Sequence, residues 1–304
     1  MTGYRGRFAP SPTGHVHFGT ARTALVAWLR ARREGGALVM RMEDLDGPRA
    51  RAGMAEAILE DLRWLGLDWD EGPDVGGPYS PYVQSERSER YRAVVADLVR
   101  RGLAYPCTCT RKELAELASA PHGEEPVYPG TCRNGPTHPE RPASIRFRFE
   151  RGEPFVDALL GPRSDGIESG DFVIARSDGL FSYQLAVVVD DLAMAITEVV
   201  RGADLLSSVP RQAALHRALG HAPPATLHVP LVVGEDGVRL AKRHGAIAIR
   251  EARAAGASAE QIVGQLAASL GLAAPGEAVS ARTLVSRFEL AALPREPGVI
   301  RTSW

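Results

Sequence analysis

Apolar positions along the chain fall into short runs that alternate between two periods. Arg7–Ala9 closes a small hydrophobic start and reads as the end of a strand; Pro10, Pro12 and Gly14 then forbid regular structure. Ala21, Leu25 and Trp28–Leu29 follow at helical spacing, with Thr20 placed to cap that helix and Gly35–Gly36 to stop it. "ALVMRM", Ala37–Met42, is a short apolar strand, and Met54, Ile58, Leu62 and Leu65 line one face of the next helix. Strand, helix, strand, helix predicts a parallel α/β sheet. After about residue 104 the rhythm breaks. Pro106 to Pro142 is rich in Cys, Pro, Gly and His and reads as an inserted, loop-dominated module. "SIRFRFE", Ser144–Glu150, alternates like a half-buried strand, and Val187–Val189 reads as the core of a buried one. Helical signal dominates from Ser258, which forms a capping box with Gln261 ahead of Ile262, Leu266 and Leu270.

Composition narrows the class. The chain has 304 residues, 44% hydrophobic and 24% charged, as in a soluble globular protein. The N-terminus shows no apolar run with a small-residue cleavage site, and no stretch approaches the ~20 apolar residues of a membrane span. A cytoplasmic protein without a membrane partner is expected. The net charge of −1 means that binding a nucleic acid would need a local basic face. Lysine occurs only at Lys112 and Lys242 among 36 basic residues, so each stands out against the arginine background.

Two stretches offer chemistry. "RFAPSPTGHVHFGTA" runs from a strand end through a Gly-rich turn into a helix start, a place where free N–H groups and the helix dipole favour an anion. Gly14 and Gly19 permit close backbone approach, and His17 can donate to a phosphate oxygen. The spacing is neither G-x-G-x-x-G nor the P-loop. The second stretch holds all three cysteines, Cys107, Cys109 and Cys132. An odd, clustered count favours a metal over a disulfide. A structural zinc site needs a fourth ligand, and His122, His138 and Tyr128 are the nearby candidates.

The first stretch also closely resembles the N-terminal signature of the glutamyl-tRNA synthetase family, "HFGT" matching the HIGH-type motif of class I synthetases. "RMEDLD", "WLGLDWDEGPDVGGPYSPYVQSER", "YQLAVVVDDLAMAITEVVRGADLL" and "RLAKR" resemble the same family in the same order, over roughly residues 5 to 250. The overall plan resembles the truncated branch that attaches glutamate to queuosine in tRNA(Asp). The resemblance implies an α/β class I core, a Rossmann-like parallel sheet split by a zinc-bearing acceptor-type domain, with a small C-terminal helical region and no anticodon-binding domain. The implied boundaries are 1–104 and 181–250 for the two halves of the core, 105–180 for the insert and 251–304 for the helical region.

The same resemblance implies the site. Arg7 and Arg201 match the glutamate-binding arginines, Glu43 the acid that holds the substrate ammonium, and Tyr183 a substrate-contacting tyrosine. Phe8, Ala9, Pro10 and Ser11 lie in the matching backbone segment. His17, Gly19 and Thr20 would meet ATP, which enters with Mg²⁺. Lys242 would grip the phosphates from "RLAKR", a degenerate KMSKS-type loop with Arg239 in place of the first lysine and Ala241 in place of a serine. The pattern C-x-C followed by Y-x-x-x-C selects Tyr128 to complete a structural zinc site with Cys107, Cys109 and Cys132. The expected reaction is activation of L-glutamate by ATP and transfer to tRNA(Asp) carrying queuosine, by a monomer. A minimal synthetase charging the 3′ end of tRNA(Glu) and a catalytically silent RNA-binding paralogue are the alternatives.

Overall fold

A computed structural model describes residues 3–45, 51–110, 112–114, 127–233 and 248–299. The N-terminal half of the core runs β1 (Arg5–Phe8), α1 (Phe18–Arg33), β2 (Ala37–Met40), α2 (Met54–Trp64) and α3 (Ser88–Arg100). Then come β3 (Ala104–Cys107), β4 (Ser144–Phe147), β5 (Phe155–Asp157), β6 (Gly161–Arg163) and β7 (Phe172–Ala175). The chain continues through α4 (Tyr183–Ala193), β8 (Glu198–Gly202), α5 (Val209–Ala218), β9 (Ala225–Val229) and β10 (Val232–Val233). Three helices follow, α6 (Ile249–Ala254), α7 (Ala259–Ala268) and α8 (Ala281–Leu284), and β11 (Gly298–Val299) pairs with β10.

The main sheet has the order β2-β1-β8-β9-β5-β6, parallel except for the β5–β6 pair. β1 pairs on one side with β2, reached through α1, and on the other with β8, more than half the chain away. The strand order therefore reverses at β1–β8, the position where open α/β sheets place their ligands. β3, β4 and β7 form a separate antiparallel sheet. Within the stretch expected as an insert, β5 and β6 extend the main sheet, so residues 155–163 return to the core.

α1 is the central helix of the larger core: Ala21, Leu25, Trp28 and Leu29 are buried, against α7 and α8 as well as the sheet. It stops where expected. Gly35 takes φ +61°, and a Cβ on Gly36 would sit 2.2 Å from the Tyr4 carbonyl oxygen. Its start differs from the reading that made Thr20 the cap. His17 occupies that position in extended backbone, without a side-chain cap, and Thr20 is the third helical residue. His17 is also held in a bridge with Ala248, and Ala21 N–H donates to its carbonyl at 2.9 Å as the first turn closes.

A second correction concerns Val187–Val189, which lie in helix α4 rather than a strand. Ser182 Oγ accepts the Leu185 N–H at 3.3 Å and fixes the helix start. Val187, Val188 and Val189 are buried in the cluster shared by α3, α5 and the β3-β4-β7 sheet. A helix buried nearly all round shows a continuous apolar run that periodicity cannot tell from a buried strand. The capping box of Ser258 and Gln261 is present, and Ile262, Leu266 and Leu270 are buried behind it.

Candidate active site

Sheet register places the first residues. Arg7 on β1 and Arg201 on β8 lie toward the C-terminal ends of adjacent parallel strands, on the two sides of the order reversal. Both are buried. Arg7 Nη1 donates to the Val200 carbonyl at 3.2 Å, and its Nε lies 3.5 Å from Asp191 Oδ1. Arg201 Nη1 donates to Gln212 Oε1 at 2.8 Å and to the Tyr183 hydroxyl at 3.2 Å, while Nε donates to His228 Nε2 at 2.9 Å. Arg7 Nε and Arg201 Nη2 are buried without a hydrogen-bond acceptor in the protein. A buried guanidinium edge in that state is matched by a carboxylate.

The backbone segment after β1 is fixed by pairing beyond the strand: Arg41 N–H donates to Phe8 O and Glu43 N–H to Pro10 O, both at 3.0 Å. This brings Glu43 to the same end of the sheet. Ala9 is half-buried, Pro10 buried and Ser11 exposed. Arg41, fully buried, donates to Glu43 Oε1 at 3.0 Å and to Asp191 Oδ1 at 2.7 Å. Asp190, which follows Val189 on α4, accepts from Arg87 Nε at 2.6 Å, Tyr91 OH at 2.8 Å and Gln84 Nε2 at 2.9 Å. Arg7, Arg41 and Arg87 are thus balanced by Glu43, Asp190 and Asp191. Burial raises the Glu43 carboxyl above its ordinary value against the pull of Arg41 and Arg7. Burial also opposes Asp191, but Arg41 and Arg7 outweigh it and hold that carboxyl low.

His17 stands half-buried at the start of α1, where Gly19 and Thr20 are exposed and a Cβ on Gly19 would meet nothing. No acid occupies the first turn, and Arg30, Arg32 and Arg33 sit in the last, so the helix itself places no negative charge at the positive end of its dipole. Lys242 lies outside the described residues, as do Arg239 and Ala241. Ala248, the first described residue beyond that segment, bridges His17, and Ile249 N–H donates to Val16 O at 2.9 Å.

The cysteines converge in the separate sheet. The sulfurs of Cys107, Cys109 and Cys132 lie within 4.8 Å of one another. Tyr128 Oη is 3.4 Å from Cys107 Sγ and 3.6 Å from Cys109 Sγ, and accepts the Cys132 N–H at 2.9 Å. His138 instead faces Glu140 at 3.4 Å and Glu113 at 3.9 Å, and His122 lies outside the described residues. Arg146 Nε donates to Cys107 Sγ at 3.2 Å, with its guanidinium 3.8 Å above the Tyr128 ring. Burial raises the Cys109 thiol to about 11. It would raise Cys132 too, but hydrogen bonds from Thr137 and Thr108 bring that thiol down to about 6. Three sulfurs and a phenol oxygen close together, with a cation beside them to stabilise their anionic forms, supply the four ligands that a zinc-type metal site needs.

Residues 4–292 match the family model for the catalytic domain of class I tRNA synthetases of the E and Q type. A glutamyl-Q tRNA(Asp) synthetase from Symbiobacterium thermophilum is 54% identical over 96% of this chain and 94% of its own length. The chain belongs to the glutamyl-Q tRNA(Asp) synthetase family. A glutamate–tRNA ligase from an Anaeromyxobacter species is 46% identical over 86% of this chain and 57% of its own. A solved glutamate tRNA ligase from Elizabethkingia meningosepticum, in complex with its amino acid, aligns with a TM-score of 0.85 and 29% identity over 98% of this chain and 67% of that one.

Set in this family, the geometry gathers Arg7, Phe8, Pro10, Glu43, Tyr183 and Arg201 at one end of the sheet, with His17 at the start of α1. It adds residues that sequence reading left out. Asp190 and Asp191, which follow the run read as a strand at Val187–Val189, are central to the arginine network because their element is a helix packed behind the site. Gln212, His228 and Asp157 carried no local motif, and Arg41 opens "RMEDLD" without having been singled out within it. The signal available for the acids was their place inside an otherwise apolar run, where a charge is retained only with partners.

Proposed function

We propose that this chain activates L-glutamate with ATP and transfers it to the queuosine base of tRNA(Asp). The observation that carries the activation half is Arg201 Nη2, buried without a hydrogen-bond acceptor in the protein beside Arg7 across the β1–β8 reversal. In this reading the substrate side-chain carboxylate takes that N–H group and the Tyr183 hydroxyl near the Arg7 charge, and Glu43 takes the ammonium. Glutamine, being neutral, would leave the cations unpaired. ATP lies with its phosphates at His17, Gly19 and Thr20 and against Lys242, with Mg²⁺ accompanying it. The α-carboxylate oxygen attacks the α-phosphorus and the bond to the bridging oxygen breaks, releasing pyrophosphate. Phosphate charge is met by the start of α1 and by His17. A hydroxyl of the acceptor then attacks the glutamyl carbonyl, the proton leaves to solvent, and AMP departs.

The acceptor assignment is supported by the relatives, 54% identity to a glutamyl-Q tRNA(Asp) synthetase against 46% to a glutamate–tRNA ligase. Zinc fits Cys107, Cys109, Cys132 and Tyr128; held there, it would lock the loops of the 105–180 segment and take no part in the reaction. We take this segment to face the RNA, with 1–104 and 181–250 as the halves of the core, 251–304 as the helical region, and the enzyme as a cytoplasmic monomer. Among the described residues no helix is long and apolar enough to cross a membrane. Exchange of labelled pyrophosphate into ATP, with glutamate and without RNA, tests the activation half. Exchange with glutamate and none with glutamine is expected; none with either would favour a silent paralogue.

A further inference from the structure

Arg201, His228 and Asp157 come from three neighbouring parallel strands. Arg201 on β8 is in direct register with His228 on β9, and Asp157, at the end of β5, is in register with Thr226 two residues before His228, so the Asp157 side chain meets the His228 ring on the diagonal. All three side chains are buried, His228 and Asp157 almost completely. His228 Nδ1 lies 2.7 Å from Asp157 Oδ2. The other carboxylate oxygen accepts the backbone N–H groups of Leu159, Leu160 and His228 at 3.1, 2.9 and 3.2 Å, so the carboxylate is locked in place. Arginine can only donate, so the 2.9 Å contact from Arg201 Nε requires a lone pair on His228 Nε2. The ring proton therefore sits on Nδ1, toward Asp157. With Nε held by His228 and Nη1 by Gln212, the guanidinium plane is fixed and Nη2 is the edge left over.

We propose that Asp157 and His228 are positioning residues for glutamate recognition: Asp157 fixes the tautomer of His228, and His228 fixes the plane of Arg201 toward the substrate carboxylate. This rests on the glutamate role of Arg201 proposed above. His228 stays neutral to do so: burial, with the charges of Arg201 and Arg7, outweighs the pull of Asp157 and holds its pKa below the ordinary imidazole value. The test separates the two ring nitrogens. His228→Gln carries an oxygen acceptor to the place of Nε2, whereas His228→Asn reaches only the place of Nδ1. In glutamate-dependent pyrophosphate exchange, H228N is expected to raise KM for glutamate about 10- to 100-fold and H228Q less than about threefold. KM for ATP should change less than about twofold in both. Equal effects of the two variants on glutamate, or KM values for glutamate and ATP rising together, would overturn the proposal in favour of a merely structural histidine. Wild-type protein without glutamate-dependent exchange would overturn the glutamate reading and this proposal together. If neither variant folds, ¹⁵N NMR of the wild-type ring decides: an Nδ1-protonated His228 is expected, and an Nε2-protonated ring would overturn the proposal.

Discussion

The arginine pocket and the cysteine cluster are both built from buried polar atoms, but they are completed in opposite ways. In the pocket, sheet register brings the partners together: Arg41 meets Glu43 and Asp191, and Arg201 meets His228 across adjacent strands. Most of its charge is balanced within the fold, Arg7 by Asp191 among them, leaving the Arg201 Nη2 edge for a ligand. In the cluster, three thiols and a phenol face one another, and Arg146 is the cation beside them. Tyr105, Cys107, Tyr128 and Cys132 are buried together at the end of β3, and the loop residues among them are the part that a bound metal would tie down. The first region is preorganised by packing, and the second offers ligands that a metal could complete.

That contrast breaks most visibly at the arginines. Arg201→Ala should lower kcat/KM for glutamate by about 10²- to 10³-fold in pyrophosphate exchange, through loss of a buried charged contact. The circular dichroism spectrum should be unchanged. Asp191→Ala attacks the scaffold: it strips Arg7 and Arg41 of a shared partner, and urea unfolding should show a loss of about 3–5 kcal/mol.

Acid should find another weak point on the packed side. His216, buried on α5 near Asp191, has its pKa lowered to about 4, burial being the main cause. Between the unfolded value of about 6.5 and that value the unfolded chain binds the extra proton, so stability falls as pH drops through this window. The full effect is at most about 3 kcal/mol. Unfolding free energies of the wild type and of His216→Gln from pH 7 to 4 check it; the variant should lack this slope.

The cluster should respond to a chelator instead. Cys132→Ser or metal removal should lower bound zinc from about one per chain and reduce Tm by about 5 °C. RNA-independent exchange should stay within about threefold of wild type, because no step passes through the metal. A collapse of exchange would mean that the two regions are not separable. The smallest effect is expected far from both: Ser258→Ala removes the cap of α7 and should cost about 1 kcal/mol in urea unfolding.

The sequence disclosed these two regions unequally. Cys107, Cys109, Tyr128 and Cys132 sit within one short window, so their convergence could be read from spacing and family pattern. Arg7, Glu43 and Arg201 were legible through ordered motifs. Their supports were not: Asp157 and His228 are 71 residues apart and meet only through strand pairing. Asp190 and Asp191 were misplaced with the helix that carries them, since Val187–Val189 suits a strand until Ser182 caps it and the surrounding cluster buries it. Thr20 falls in the first turn because the helix starts at Phe18, beside the bridge of His17 with the distant Ala248.

The most direct measurement is transfer of labelled glutamate to purified tRNA(Asp), with and without queuosine, beside tRNA(Glu). Label confined to queuosine-containing tRNA(Asp) is the predicted result. Label on tRNA(Glu), or on tRNA(Asp) regardless of queuosine, would contradict it.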